Sequence, residues 1–152
     1  MRRPHVLLLI ALAVILFLAI SAVLARVLSI DGAERSAIVA LLQAQARGDA
    51  GTMVARIHGC AQQPACRERA AVNAAILTRS GKLVILELNP SAGFSLGPTV
   101  GTARVAWRAG ASLPVLQCVR VRRAGNALSG LRVQLLEISR RIKSDTSCPA
   151  RY

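Results

Sequence analysis

The stretch NAAILTRSGKLVILEL, residues 73–88, joins two different hydrophobic patterns. Before Gly81 the apolar residues recur at helical spacing. After Gly81 comes a short run rich in Leu, Val and Ile, which is typical of a β-strand. The chain is therefore predicted to change from helices to strands at this point, and the fold class follows from what lies on either side.

Three helices are predicted before Gly81. The first has Ala37, Leu41 and Ala44 on one stripe; it is expected to start near Asp31 and Glu34 and to end at Gly48–Asp49. The second covers residues 50–59, with Asp49 as its N-terminal cap. The third opens at Pro64, where proline suits the first helical turn, and is expected to stop at Gly81.

Four strands are predicted after Gly81, at residues 82–88, 99–110, 112–126 and 128–142. Residues 89–98 form a loop with Asn89–Pro90, Gly93 and Gly97–Pro98 as turn signals. Helices followed by strands indicate an α+β fold, with three helices packed on one face of a curved antiparallel sheet of about four strands.

Alternation along the predicted strands assigns the two faces of the sheet. Val105 and Trp107 point to one side, whereas Arg104 and Arg108 point to the other, and the next two strands repeat this pattern. The outer face is therefore expected to be a basic interaction face. It comprises Arg104, Arg108, Arg120, Arg122 and Arg132, with Arg123, Arg140 and Arg141 nearby.

The basic face suits an anionic lipid, an envelope polymer or an acidic protein partner. The formal net charge is +13, yet nearly all the basic residues are arginine, so the alternative is a solvated surface that reflects the codon usage of a GC-rich genome. Nucleic acid is not expected as a partner, because one Trp, one Tyr and two Phe leave little aromatic surface for stacking.

The N-terminal run VLLLIALAVILFLAISAVLA, residues 6–25, contains no charged residue and is long enough to span the roughly 30 Å core of a bilayer. Arg2 and Arg3 precede it, so the positive-inside tendency predicts a cytoplasmic N-terminus at residues 1–5. We expect a single-pass transmembrane helix at 6–28, acting as a signal anchor in the cell membrane, and an extracytoplasmic domain at 31–152. The alternative is a cleaved signal sequence.

All four cysteines, Cys60, Cys66, Cys118 and Cys148, follow the apolar run. An even number of cysteines in a small exported domain indicates two disulfides, and the pairs expected are Cys60–Cys66 and Cys118–Cys148. The alternative is a zinc site that includes His58, but the spacing of Cys60 and Cys66 is wider than structural zinc sites use. No metal and no cofactor are expected.

Two stretches resemble the small cone-shaped α+β domains of the nuclear transport factor two-like superfamily, also called SnoaL-like. AIVALLQAQARGDAGTMVARI, residues 37–57, is similar to the first helix, Gly-Asp turn and second helix of that family, and PVLQCVRVRRAGNALSGLRVQLLEIS, residues 114–139, to its final hairpin. The similarity covers residues 34–142. The resemblance implies that the exposed sheet face is a common dimer surface, although like charges on this face would resist self-pairing.

The expected function is a binding or envelope-complex accessory module without catalysis. The alternative is a small-molecule enzyme that uses the pocket of the cone, with Glu87, Glu137 or His58 as acid and base. The chain departs from the enzymes of the superfamily because no acid/base pair falls at its expected pocket positions.

Overall fold

The computed structural model describes residues 3–92, 97–126, 130–143, 147–149 and 152. Its helices are α1 (Arg3–Ala46), α2 (Ala50–Arg56) and α3 (Pro64–Ile76), with a 3-10 turn at Cys60–Gln62 between the last two. Its strands are β1 (Leu83–Asn89), β2 (Thr99–Ala109), β3 (Val115–Asn126) and β4 (Gly130–Ile138). The predicted signals at Arg2 and Gly93 lie outside the described residues.

The strands form an antiparallel sheet in the order β1-β2-β3-β4, as the sequence predicts. The helices pack on one face of this sheet, which we call the inner face. Its core includes Leu41, Met53, Val105, Trp107 and Val119, each 0% exposed. The predicted α+β class is confirmed.

Helix α1 joins the apolar run to the first helix of the domain without a break. It has 44 residues, which corresponds to a length of about 66 Å. Its N-terminal part is long and apolar enough to cross a membrane and is not buried by the rest of the chain. The predicted helix start at Asp31 and Glu34 is wrong, because both carboxylates bind Arg123 of β3 and do not cap a helix.

The end of α1 follows a local signal, whereas α2 ends at Arg56, three residues before the predicted end, and α3 also ends early. Gly48 has φ +75° and ends α1 in a Schellman motif, in which the amides of Gly48 and Asp49 donate to Gln45 and Ala44. Helix α3 ends five residues before the predicted stop at Gly81, because the amide of Arg79 leaves the helix and donates to the carbonyl of Ala46.

Gly81 has a different role from the one predicted. A Cβ at this position would lie 2.8 Å from the Cα of Gly110, and the backbone has φ +99°. The glycine therefore allows the chain before β1 to pass close to the turn after β2.

Both predicted disulfides are present, Cys60–Cys66 and Cys118–Cys148. The first joins the 3-10 turn to α3. The second ties the C-terminal tail to the middle of β3. Cys118 is 0% exposed although it belongs to the outer face, so the tail covers the sheet at this point.

Candidate functional site

The structure places all five predicted arginines on the outer face of the sheet. Along the strands, Arg108 lies opposite Val84, Arg104 opposite Cys118, and Arg120 opposite Thr102. Arg122 lies opposite Val100, and Arg132 opposite Ala124. Arg108, Arg122 and Arg132 are exposed, whereas Arg104 and Arg120 are half-buried.

The C-terminal tail explains part of this burial. Cys148 is held against the outer face through Cys118, and the phenol of Tyr152 lies near Thr102, Glu137 and Arg120. Burial raises the pKa of the Tyr152 hydroxyl. The tail therefore covers the middle of the predicted face and leaves Arg108 exposed on one side of it and Arg122 and Arg132 on the other.

Arg120 and Glu137 form an ion pair across β3 and β4, with 3.9 Å between the Arg120 Nη1 and Glu137 Oε2 atoms. The side chains are 30% and 28% exposed, so solvent screens the attraction and the pair adds little stability. The main effect of the pair is that Glu137 neutralises the charge of Arg120. Arg122 and Arg132 therefore attract an anion at this end of the face more strongly than Arg120 does.

The prediction that Arg123 lies near the basic face is wrong. Continued alternation from Val119 and Val121 turns Arg123 to the inner face, where it is 2% exposed. Its guanidinium binds Asp31 at 2.6 Å and Glu34 at 2.7 Å. We call Asp31, Glu34 and Arg123 the ion cluster.

Glu34 is 1% exposed and accepts two further hydrogen bonds, from the amide of Ser91 at 2.7 Å and from its hydroxyl at 2.9 Å. The buried carboxylate is thus paired and hydrogen-bonded, as a buried charge needs to be. The ion cluster fastens α1 to the sheet just beyond the apolar run.

A second polar connection fastens α1 farther along its length. The Gln45 amide donates to Gln117 Oε1 at 2.8 Å, and the Trp107 indole donates to the same oxygen at 2.9 Å. Gln117 in turn donates to the carbonyl of Ser139, which also accepts from Asn73. These buried groups lie where the pocket of the cone was expected, and they hydrogen-bond one another.

The three predicted acid/base candidates do not come together. Glu87 is exposed on edge strand β1, where its carboxylate accepts from the Asn89 amide at 3.1 Å. Glu137 lies on the other edge strand and pairs with Arg120. His58 is exposed beside β4, and its backbone amide donates to the carbonyl of Leu135 at 2.7 Å.

His58 and Glu137 do share an open cleft of about 370 Å³, which Arg120, Arg122 and Gln63 also line. Two guanidinium groups against one carboxylate give this cleft the chemistry of an anion-binding surface. Within the described part of the chain, no three His, Cys, Asp or Glu side chains are grouped so that they could hold a metal ion.

No protein-family model, no curated protein and no solved structure matches this chain.

Sequence reasoning missed the ion cluster and the Gln45–Gln117 connection. The first had a usable signal, because the inner-face alternation of β3 reaches Arg123 and the helical stripe of α1 contains Glu34. The second had the same kind of signal, because Gln45 lies four residues after Leu41 on the helical stripe and Gln117 falls between Val115 and Val119 in the inner-face alternation of β3.

Proposed function

We propose that the protein is a single-pass membrane protein whose N-terminus is cytoplasmic and whose α+β domain is an extracytoplasmic binding module. The module supports an envelope complex by binding an acidic partner protein, and it does not catalyse a reaction. Membership of the nuclear transport factor two-like superfamily is part of the proposal. The order of the helices followed by a four-stranded antiparallel sheet supports it.

The unbroken path of α1 is the observation that carries this proposal. Ile30 lies five residues beyond Ala25, about 8 Å along the helix, and is already 3% exposed within the domain. The ion cluster then locks the helix to the sheet. A domain held in this way stands at a fixed height and orientation beside the bilayer, which suits a surface that has to meet a membrane-bound partner.

The disulfides and the charges around the apolar run support the orientation. Disulfides persist in oxidising spaces outside the cytoplasm. Arg2 and Arg3 precede the run, whereas Arg26 on its far side is soon offset by Asp31 and Glu34, which agrees with the positive-inside tendency.

The partner surface that we propose is the cleft side of the outer face, around Arg120, His58 and Gln63. Arginine forms bidentate hydrogen bonds with carboxylates and gives directional recognition of acidic side chains. The Arg120–Glu137 pair is weak enough to open when a carboxylate of the partner competes for the guanidinium.

Crosslinking in intact cells, followed by purification of the protein and mass spectrometry, tests the proposal. The Arg120→Glu variant is expected to lose the crosslinked partner. Arg47→Glu is the matched control, because Arg47 is exposed at the end of α1 and does not lie on the sheet. Equal recovery of the partner with both variants would rule out the proposed surface.

A further inference from the structure

Two contacts fix the direction of the sheet relative to α1. Glu34 binds Arg123, and eleven residues later Gln45 binds Gln117. Strand β3 therefore runs antiparallel to α1, from Gln117 at the far end back toward the apolar run. The proximal end of the sheet is consequently formed by the start of β2, the end of β3 and the start of β4.

Distances along the backbone give the height of this end. Asp31 and Glu34 lie six and nine residues beyond Ala25, about 9 and 14 Å along the helix axis. From Arg123, β3 continues for three residues to Asn126, about 10 Å in the direction of the apolar run. The end of β3 thus returns nearly to the height of Ala25, the last residue of the apolar run.

The headgroup layer of a bilayer is about 5–7 Å thick on each side of the hydrocarbon core. Arg132 lies opposite Ala124, and Ala124 is one residue beyond Arg123 in the direction of the apolar run. The side chain of Arg132 is exposed. Arg122 is exposed on the same face, opposite Val100, which is 50% exposed. In a chain anchored through the apolar run, both guanidinium groups come within reach of the lipid phosphates.

We propose that this proximal surface, formed by Val100, Arg122 and Arg132, rests against the headgroup layer and that its two arginines bind the phosphates of anionic lipids. The inference rests on the proposed membrane anchoring. Planar guanidinium groups bind phosphate oxygens in pairs, and each basic residue near an anionic surface strengthens binding. Lipid binding by this surface would hold the sheet in one orientation above the membrane.

Arg108 provides a matched comparison on the same face. It lies eight residues from Val100 along β2, about 26 Å farther from the bilayer. This separation exceeds the Debye length of about 8–10 Å at physiological salt, so the lipid charge does not reach it. Leu113, 78% exposed in the turn after β2, marks the same distal end.

The test places the full chain in lipid nanodiscs made of equal parts phosphatidylcholine and phosphatidylglycerol, with a benzophenone amino acid at Val100 or at Leu113. After illumination, mass spectrometry counts the lipid adducts. We expect adducts at position 100 and none at position 113. Phosphatidylglycerol should be enriched among the adducts, by roughly fivefold for each arginine at low salt.

Arg122→Glu/Arg132→Glu should remove the enrichment, Arg132→Glu alone should reduce it, and Arg108→Glu should leave it unchanged. Non-reducing peptide mapping confirms that each variant keeps both disulfides. Three results with a chain that stays in the discs would refute this inference but not the anchoring. They are no lipid adducts at position 100, adducts at both positions, and an enrichment that does not depend on Arg122 and Arg132. A chain that does not stay in the discs refutes the anchoring and the inference together. The discs contain no partner protein, so the test is independent of partner binding.

Discussion

Replacing Arg123 by methionine tests whether the ion cluster holds α1 on the sheet. Methionine fills a similar volume but leaves the Glu34 carboxylate, which is 1% exposed, without its cation. Breaking a buried ion pair from one side costs about 3–5 kcal/mol. The Ser91 amide and hydroxyl still stabilise the carboxylate, and the Asp31 side chain is 48% exposed and loses little, so we expect the lower end of this range.

A loss of about 3 kcal/mol corresponds to a decrease in Tm of roughly 12 °C for a domain of this size. The assay is thermal unfolding of the full chain in detergent, followed by the fluorescence of Trp107. Trp107 is the single tryptophan of the sequence and is fully buried between α1 and the sheet, so its signal reports their separation.

Arg122→Met is the control, because it removes the neighbouring arginine from the exposed face and should change stability by less than about 0.5 kcal/mol. The double variant Glu34→Met/Arg123→Met removes both buried charges and should regain most of the loss, to within about 1 kcal/mol of the native chain. If Arg123→Met lowers Tm no more than Arg122→Met does, the ion cluster does not fasten the helix.

Two further predictions concern the tail and the cap of α2. Replacing Cys118 and Cys148 by alanine opens a loop with a sequence separation of 30 and should lower stability by about 2–4 kcal/mol in thermal unfolding, whereas replacing Cys60 and Cys66, which are separated by 6, should cost less. The Asp49 carboxylate accepts hydrogen bonds from the Thr52 hydroxyl and amide, which lower its pKa below the ordinary value of 3.8. The contribution of the ionised Asp49 carboxylate to the free energy of unfolding is therefore complete above pH 3.8. It is lost as the pH falls through the lower pKa that Asp49 has in the folded protein, so Asp49→Asn should remove this part of the acid sensitivity of Tm.

The sequence was informative where a structural feature depends on neighbouring residues. Alternation in β2 predicted the inner position of Trp107 and the outer position of Arg108, and Asp49 and Pro64 predicted the starts of two helices. Each of these signals acts within a few residues, because caps, turns and strand alternation are local.

Features that depend on distant partners were not predicted. Asp31 and Glu34 are residue types that often begin a helix. Their partner is Arg123, far along the chain, and within the sequence nothing near them indicates that they bind it from the middle of a continuous helix. The candidate site has the same limit. The sequence identified the outer arginines, but the tail that covers the middle of the face, and the burial of Arg104 and Arg120, depend on how Cys148 and Tyr152 fold back.

The spacing of the two polar connections explains how one helix serves both as an apolar span and as part of the core. Glu34 and Gln45 are eleven residues apart, which is close to three full turns of an α-helix, so both face the sheet along a single stripe. Ile38, Leu41 and Leu42 fill the space between them and are each 0% exposed. Apolar contacts alone would tolerate a shift of the helix along this stripe, since they are not directional. The two hydrogen-bonded connections accept one register only, and that register sets the height of the sheet above Ala25, the last residue of the apolar run.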